Sequence, residues 1–261
     1  MLRAFSTAAT GMTAQQTVVD TIANNLANIN TVGFKRSQVD FQDLMYLRLQ
    51  EAGTETVSGV RAPTGFEIGS GVRPASTLKV FSQGEVENTG RDLDVAIMGD
   101  GFFQVTVAGV TRYTRDGSLR VNDEGQLVTA SGYYLEPPIN IPQDTRTIAI
   151  GEDGTINVLT GSDSAPQQIG QIQLVRFVNP SGLSSEGGNL LSETAGSGPA
   201  ITGTAGTEGF GLLRQNFLER SNVQMVSELV NLITAQRAYE INSRAIRAGD
   251  EMLQIANRLT S

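Results

Sequence analysis

Neither cysteine nor histidine occurs among the 261 residues of this chain. Without cysteine there are no disulfides and no thiolate chemistry. Without histidine the commonest general base and the commonest metal ligand are gone. Any enzyme here would have to work with carboxylates, Lys, Tyr or Ser. Charge is sparse as well: Asp, Glu, Lys and Arg make up 18% of the chain, below the usual quarter. The balance is −8 at neutral pH, which argues against a nucleic-acid binder and its basic face. No apolar run approaches the ~18 residues of a membrane-spanning helix. The N-terminus offers Arg3 followed by Ala-Phe-Ser-Thr-Ala-Ala-Thr, which lacks the apolar stretch of a secretory signal peptide. The expectation is a protein without cofactor, metal, nucleic-acid partner or direct membrane span.

From Ala4 to Phe34 the only ionisable side chain is Asp20. Phe5, Met12, Val19 and Leu26 recur every seven residues, and Leu2, Ala9, Gln16 and Ala23 interleave with them. This is the spacing of a helix seam. A second stripe runs Val18, Ile22, Leu26 and Ile29. The other faces carry Thr, Gln, Asn and Ala, where a solvated helix would carry Lys and Glu. Asn24, Asn25, Asn28 and Asn30 crowd seven residues and are poor helix formers. Buried between helices, such amides fix register and partner number. The bland alternative is the polar end of a helix stopped by Gly33.

The other end of the chain repeats the pattern. Met225, Leu232, Tyr239, Ile246 and Leu253 are seven apart, with Ala235, Asn242, Gly249 and Ala256 between them. A second stripe runs Ile241, Ala245, Ala248, Met252, Ile255 and Leu259. Two seams on one helix call for two sets of neighbours. Ser221-Asn222-Val223-Gln224 reads as the capping box that opens this helix.

Between the helices the signal is different. Lys35 to Leu49 reads as a short helix or turn region with a mixed face. Glu51 to Val72 contains Gly53, Gly59, Gly65, Gly69 and Gly71 with little periodicity, as in a long loop or an extended β-ribbon. From Leu78 to about Val178, short β-rich runs alternate with turn dipeptides such as Asp100-Gly101, Asp116-Gly117 and Asp153-Gly154, as in a compact antiparallel β domain. Leu93, Val95, Ile97, Phe102, Phe103, Val105, Leu127, Val128, Ile148, Ile150, Ile156, Val158, Ile172, Leu174 and Val175 supply its expected core. Gly182 to Gly211 holds nine glycines in thirty residues and reads as a flexible connector.

Asp92, Asp94, Asp100, Asp116 and Asp123 invite a carboxylate-pair or calcium reading. The calcium-loop pattern breaks at its third ligand, and Asp-Gly pairs are what tight turns require. Gly99-Asp100-Gly101 is no dinucleotide fingerprint, because its sixth position is Gln104. No catalytic residue, cofactor-binding residue or metal ligand is expected.

Asn24-Asn25-Leu26-Ala27-Asn28, Thr31 and Gly33-Phe34-Lys35 resemble the N-terminal signature of the flagellar axial proteins, the family of rod, hook and hook-associated subunits. Further blocks resemble the same family in the same order. They are Ser82-Gln83-Gly84, Asp92 to Ile97, Gly99 to Phe103, Tyr113 to Gly117 and Gly125 to Val128. Leu229-Val230-Asn231 and Ala235 to Asn242 resemble its C-terminal signature. The stretch ending Pro63-Thr64-Gly65-Phe66-Glu67-Ile68-Gly69-Ser70-Gly71-Val72 resembles the insertion that separates distal-rod from hook subunits.

The resemblance implies an α+β chain in which N- and C-terminal helices pair as a coiled coil around a central, mostly antiparallel β domain. Residues 1–45 and 212–261 would form the helical domain with its connector. Residues 76–211 would form the outer β domain, and 46–75 the extended glycine-rich segment. It implies a structural subunit, not an enzyme, that self-assembles into a rigid hollow shaft crossing the periplasm and carrying torque from motor to hook. Its partners would be further copies, proximal rod and hook subunits, the outer ring (bushing) proteins and the flagellar type III export apparatus, with no cleaved signal. Asn24, Asn25, Leu26, Asn28, Ile29, Gly33, Phe34, Leu229, Leu232, Tyr239, Ile246 and Leu253 would form the subunit interface. Gly53, Pro63, Gly65, Phe66, Gly69 and Gly71 would stiffen the shaft. Two rivals remain: a proximal rod or hook sibling, and a β-rich ligand-binding or carbohydrate-acting enzyme with helical oligomerisation arms.

Overall fold

The computed structural model describes residues 2–51, 53, 55–57, 60–61, 63–161 and 165–260, without the side chains of 2, 55–57, 60–61, 256–257 and 259–260. Gly59 of the glycine-rich segment, and the side chains of Ala256 and Leu259 in the C-terminal seams, lie outside that description. The chain forms two compact units: 1–26, 37–78 and 225–261 in one, and 27–36 with 79–224 in the other.

The first unit contains both long helices, α1 (Leu2–Ala27) and α2 (Met225–Thr260). In α1 the threonines solve the problem of an uncharged polar helix. Thr10, Thr13, Thr17 and Thr21 return their hydroxyl protons to carbonyls one turn back, at 2.7–3.1 Å. Their polarity is thereby used up inside the helix. α1 and α2 meet where one of them carries glycine. A β-carbon at Gly11 would stand 2.8 Å from Asn242 Nδ2, and one at Gly249 would stand 2.8 Å from the ring of Phe5. Contacts rise along one helix as they fall along the other, so the two run antiparallel.

The rest of this unit is a two-stranded ribbon. Ser37–Asp43 lies beside Val72–Lys79. Leu47–Gln50 pairs antiparallel with Phe66–Ile68, and Glu55–Val57 with Val60–Arg61. Register shifts between Arg48 and Gln50, and between Glu55 and Val57, mark bulges. The helix or turn expected after Lys35 is therefore strand. Val39 and Phe41 alternate with Gln38, Asp40 and Gln42, a period of two, and cross-strand pairing decides the conformation. The ribbon is the β alternative for the glycine-rich segment.

The second unit is built on a sheet of nine strands among the described residues. At its centre, Phe102–Val107 pairs with Val110–Thr114 on one side. On the other it pairs with Tyr134–Glu136 and Gln173–Arg176. All are antiparallel. Side-chain alternation along the central strand feeds two cores. Phe103 and Val105 enter a cluster with Val95, Ile97, Leu135 and Leu174. Phe102 enters a second with Tyr113, Val175 and Phe177. In it Tyr113 and Phe177 stack edge to face at 4.8 Å. A three-stranded sheet centred on Thr155–Thr160 adds Ile156 and Val158 to the first cluster. The core residues expected from the sequence are buried here, with Leu93 and Ile148 partly so.

Two further expectations are corrected. The stretch Gly182–Gly211 is not a flexible connector: Ser184–Gly187 and Leu190–Ser192 extend the large sheet, and Ile201–Thr204 pairs with Gln173–Arg176. Gly188, Gly196, Gly206 and Gly209 lie in turns, whereas Gly203 lies within a strand. Ser221 does not cap α2, which starts at Met225. Its hydroxyl oxygen accepts the N–H of Val223 at 3.3 Å, while Asn222 bonds the backbone of Arg36, Val80 and Ser82.

Candidate functional site

Three features stand out: a buried ion cluster, a two-sided helix and an exposed ribbon. The cluster lies in the β unit, where Lys35, Arg115 and Glu219 are 4%, 7% and 2% exposed. Lys35 Nζ donates to Glu219 Oε1 at 2.5 Å and to the carbonyl of Ser82 at 2.7 Å. The N–H of Gly84 also reaches Glu219 Oε1, at 2.8 Å. Arg115 Nε donates to Glu219 Oε2 at 2.7 Å. Its two terminal nitrogens donate to the carbonyls of Gly99 and Gly101. Glu219's own carbonyl accepts the N–H of Gly33 at 2.8 Å.

Three separated sequence blocks, at Lys35, Gly84 and Arg115, thus converge on one carboxylate. Gly33 has φ +68, and a β-carbon there would fall 2.7 Å from the Arg115 carbonyl carbon. Only glycine allows this approach. Burial pushes the Lys35 ammonium below the ordinary lysine value, against the opposing pull of Glu219. Both carboxylate oxygens accept from donors of other segments, so Glu219 holds chain segments together.

The structure distributes the sequence-selected residues between the two units. Asn25 is buried, and its carboxamide bonds both the N–H and the carbonyl of Ser37, each at 2.8 Å. Leu26, Asn28 and Ile29 are half-buried and Asn24 is exposed. Gly33 and Phe34 belong to the β unit, where the Lys79 ammonium lies 5.1 Å from the Phe34 ring centroid. On α2, Leu232, Ile246 and Leu253 are half-buried and Ala235 is fully so. Tyr239 and Leu229 are about two-fifths exposed.

Opposite that covered seam, α2 exposes Val226, Val230, Ile233, Ile241, Met252 and Ile255, all at least half open. The ribbon exposes Phe41, Met45, Tyr46, Leu49 and Phe66. Pro63, Gly65 and Gly69 are exposed on it too. Gly53 stands in open space, and Gly71 leaves room for Thr10.

Of the aspartates that invited a metal reading, Asp92, Asp94 and Asp116 are bonded within the chain. Asp94 receives Thr89 Oγ1 at 2.5 Å and Arg91 Nε at 2.8 Å. Asp116 Oδ1 receives the Ser118 N–H and hydroxyl, and Asp92 Oδ1 receives Asn216. Glu219 itself had no signal in the sequence reading. Its partners lie 104 and 184 residues away, and only their shared membership in motif blocks hinted at a common destination.

An α+β chain with uncovered apolar helix and ribbon surfaces, and with its buried charges satisfied by its own segments, defines a structural interaction subunit. Comparison with known proteins is specific. Residues 5–35 match the family described as "Flagella basal body rod protein". Residues 96–158 match "Flagellar hook protein FlgE/F/G D1 domain", and 214–259 match "Flagellar basal body rod FlgEFG protein C-terminal". The chain is 48% identical to the flagellar basal-body rod protein FlgG of Borreliella burgdorferi, over 99% of each chain. It is 49% identical to that of Buchnera aphidicola subsp. Schizaphis graminum over 96% of each, and 46% identical to that of Caulobacter vibrioides over 100% of each. The chain belongs to the flagellar basal-body rod protein family, and it is a structural subunit of the flagellar rod.

Proposed function

We propose that this chain is a distal-rod subunit whose copies stack into a rigid hollow shaft. The shaft crosses the periplasm, carries torque from motor to hook and forms part of the export channel. The observation that carries this reading is the second apolar side of α2, Val226, Val230, Ile233, Ile241, Met252 and Ile255, left open after the first side is covered within the chain. A helix apolar on opposite sides gains stability from neighbours on both. Identical chains that contact one another through unlike surfaces build helical tubes. Pairing of α1 with α2 as a coiled coil, supported by the close approaches at Gly11 and Gly249, forms the inner layer.

The ribbon stiffens the shaft by inserting between neighbours. A two-stranded ribbon is marginal in water by itself, and Phe41, Leu49 and Phe66 require cover. In this reading the subunit is exported by the flagellar type III apparatus and has no catalytic role. It meets proximal rod subunits below, hook subunits above and ring proteins outside. Electron microscopy of concentrated full-length chain beside an Ile233→Asp variant tests this. Straight hollow tubes from the first and none from the second are expected. Curved, flexible tubes would move the assignment to a hook-like sibling. Wild-type monomers at every concentration, with rod fragments added as nuclei, would overturn it.

A further inference from the structure

We propose that Glu219 is a latch on which the two connector segments of the β unit close, so that its loss frees both connectors while the sheets stay folded. The first connector, 27–36, follows α1; the second, 217–224, precedes α2. Among the described residues, neither apolar cluster includes a member of either segment. Leu218 and Val223 of the second segment are buried outside both clusters, and polar contacts tie the two segments to each other. Lys35 and the N–H of Gly33 go to Glu219. Asn222 Oδ1 accepts the N–H of Arg36, and the Asn222 N–H reaches the carbonyl of Phe34. Strand Phe217–Glu219 pairs with Val86–Asn88 in a separate two-stranded sheet.

Charge balance makes Glu219 the critical member. Two buried cations, Lys35 and Arg115, share its one carboxylate. Removing a cation leaves a neutral pair. Removing the carboxylate leaves two like charges out of water with nothing opposite, which is far costlier than losing one hydrogen bond. Arg115 is also tied to the carbonyls of Gly99 and Gly101, so it stays with the sheet. Lys35 is the cation that must leave, and it takes 27–36 with it.

This inference concerns the single chain and is independent of assembly, so the rod reading stands or falls separately. The test is peptide-resolved hydrogen exchange on the full-length chain. In Glu219→Gln, peptides covering 27–36 and 217–224 are expected to exchange at least about tenfold faster, with Phe102–Val107 and Gln173–Arg176 unchanged. In Lys35→Met the connectors are expected to change by less than about threefold. The double variant Lys35→Met/Glu219→Gln should exchange more slowly than Glu219→Gln alone, because one of the two stranded charges is gone. Equal effects of the two single variants, unaltered connectors in Glu219→Gln, or a sheet that opens together with its connectors would each overturn the latch.

Discussion

The carboxamide of Asn25 holds both backbone polar groups of Ser37, donating to its carbonyl and accepting its N–H at 2.8 Å each. An asparagine near the end of α1 thus stands in for a missing strand at the first residue of the ribbon. Asn25→Ala leaves a half-buried N–H and a half-buried carbonyl of Ser37 without this partner. The expected loss is about 2–4 kcal/mol of stability in the isolated chain. Urea unfolding of dilute protein measures it. A variant as stable as wild type that fails only in assembly would return Asn25 to the subunit interface.

Gly117 has no room for a side chain. A β-carbon there would lie 1.7 Å from the carbonyl oxygen of Val95, whose N–H is bonded to the Gly117 carbonyl at 3.0 Å. Backbone cannot step aside as a side chain can. Gly117→Ala is expected to cost about 3 kcal/mol or more, the upper end of overpacking. A shift below about 0.5 kcal/mol in the unfolding free energy would show that the approach relaxes freely.

The two sides of α2 separate folding from assembly. Ile233 is half open, whereas Ala235 is 3% exposed. Ile233→Asp should keep the monomer's stability within about 0.5 kcal/mol and abolish tube formation. Ala235→Asp buries a carboxylate and is expected to cost several kcal/mol before any partner is met. Circular dichroism of the monomers and sedimentation of concentrated samples read the two effects. Tubes formed by Ile233→Asp would sink the assembly role of this face.

Lys35 and Lys79 both have ammonium groups held below the ordinary lysine value, 10.5, by burial. Between the folded-state value and 10.5 the unfolded chain keeps more protons than the folded one. Stability contributed by these groups therefore rises with pH across that alkaline window. The melting temperature of wild type should rise relative to that of Lys79→Met as pH is raised from neutrality toward the ordinary lysine value. A flat difference would mean that Lys79 titrates as an exposed lysine.

Much of the fold was legible because periodicity and turn chemistry are local. Spacings of seven located α1 and α2, and Asp-Gly turns located the strands around Phe103, Val105, Ile156 and Val158. The ribbon was harder: its period of two spans only Gln38 to Gln42, and with Phe41, Leu49 and Phe66 open to solvent no buried face extends it further. Gly182–Gly211 misled because glycine marks turns between strands as readily as it marks a connector. Ser221 and Asn222 looked like the start of a helix, but their side chains serve the β unit. Least legible was Glu219, since nothing near it in the chain announces two cations that arrive from 104 and 184 residues away.

The order of the three charges along the chain has a temporal meaning. Any process that delivers this polypeptide from its N-terminus presents Lys35 first, Arg115 next and Glu219 only after more than four-fifths of the chain has emerged. Until then both cations remain hydrated and the entry segment remains loose. Arrival of one late glutamate brings the beginning and the end of the β unit together, so its closure reports that nearly all of the polypeptide has come through.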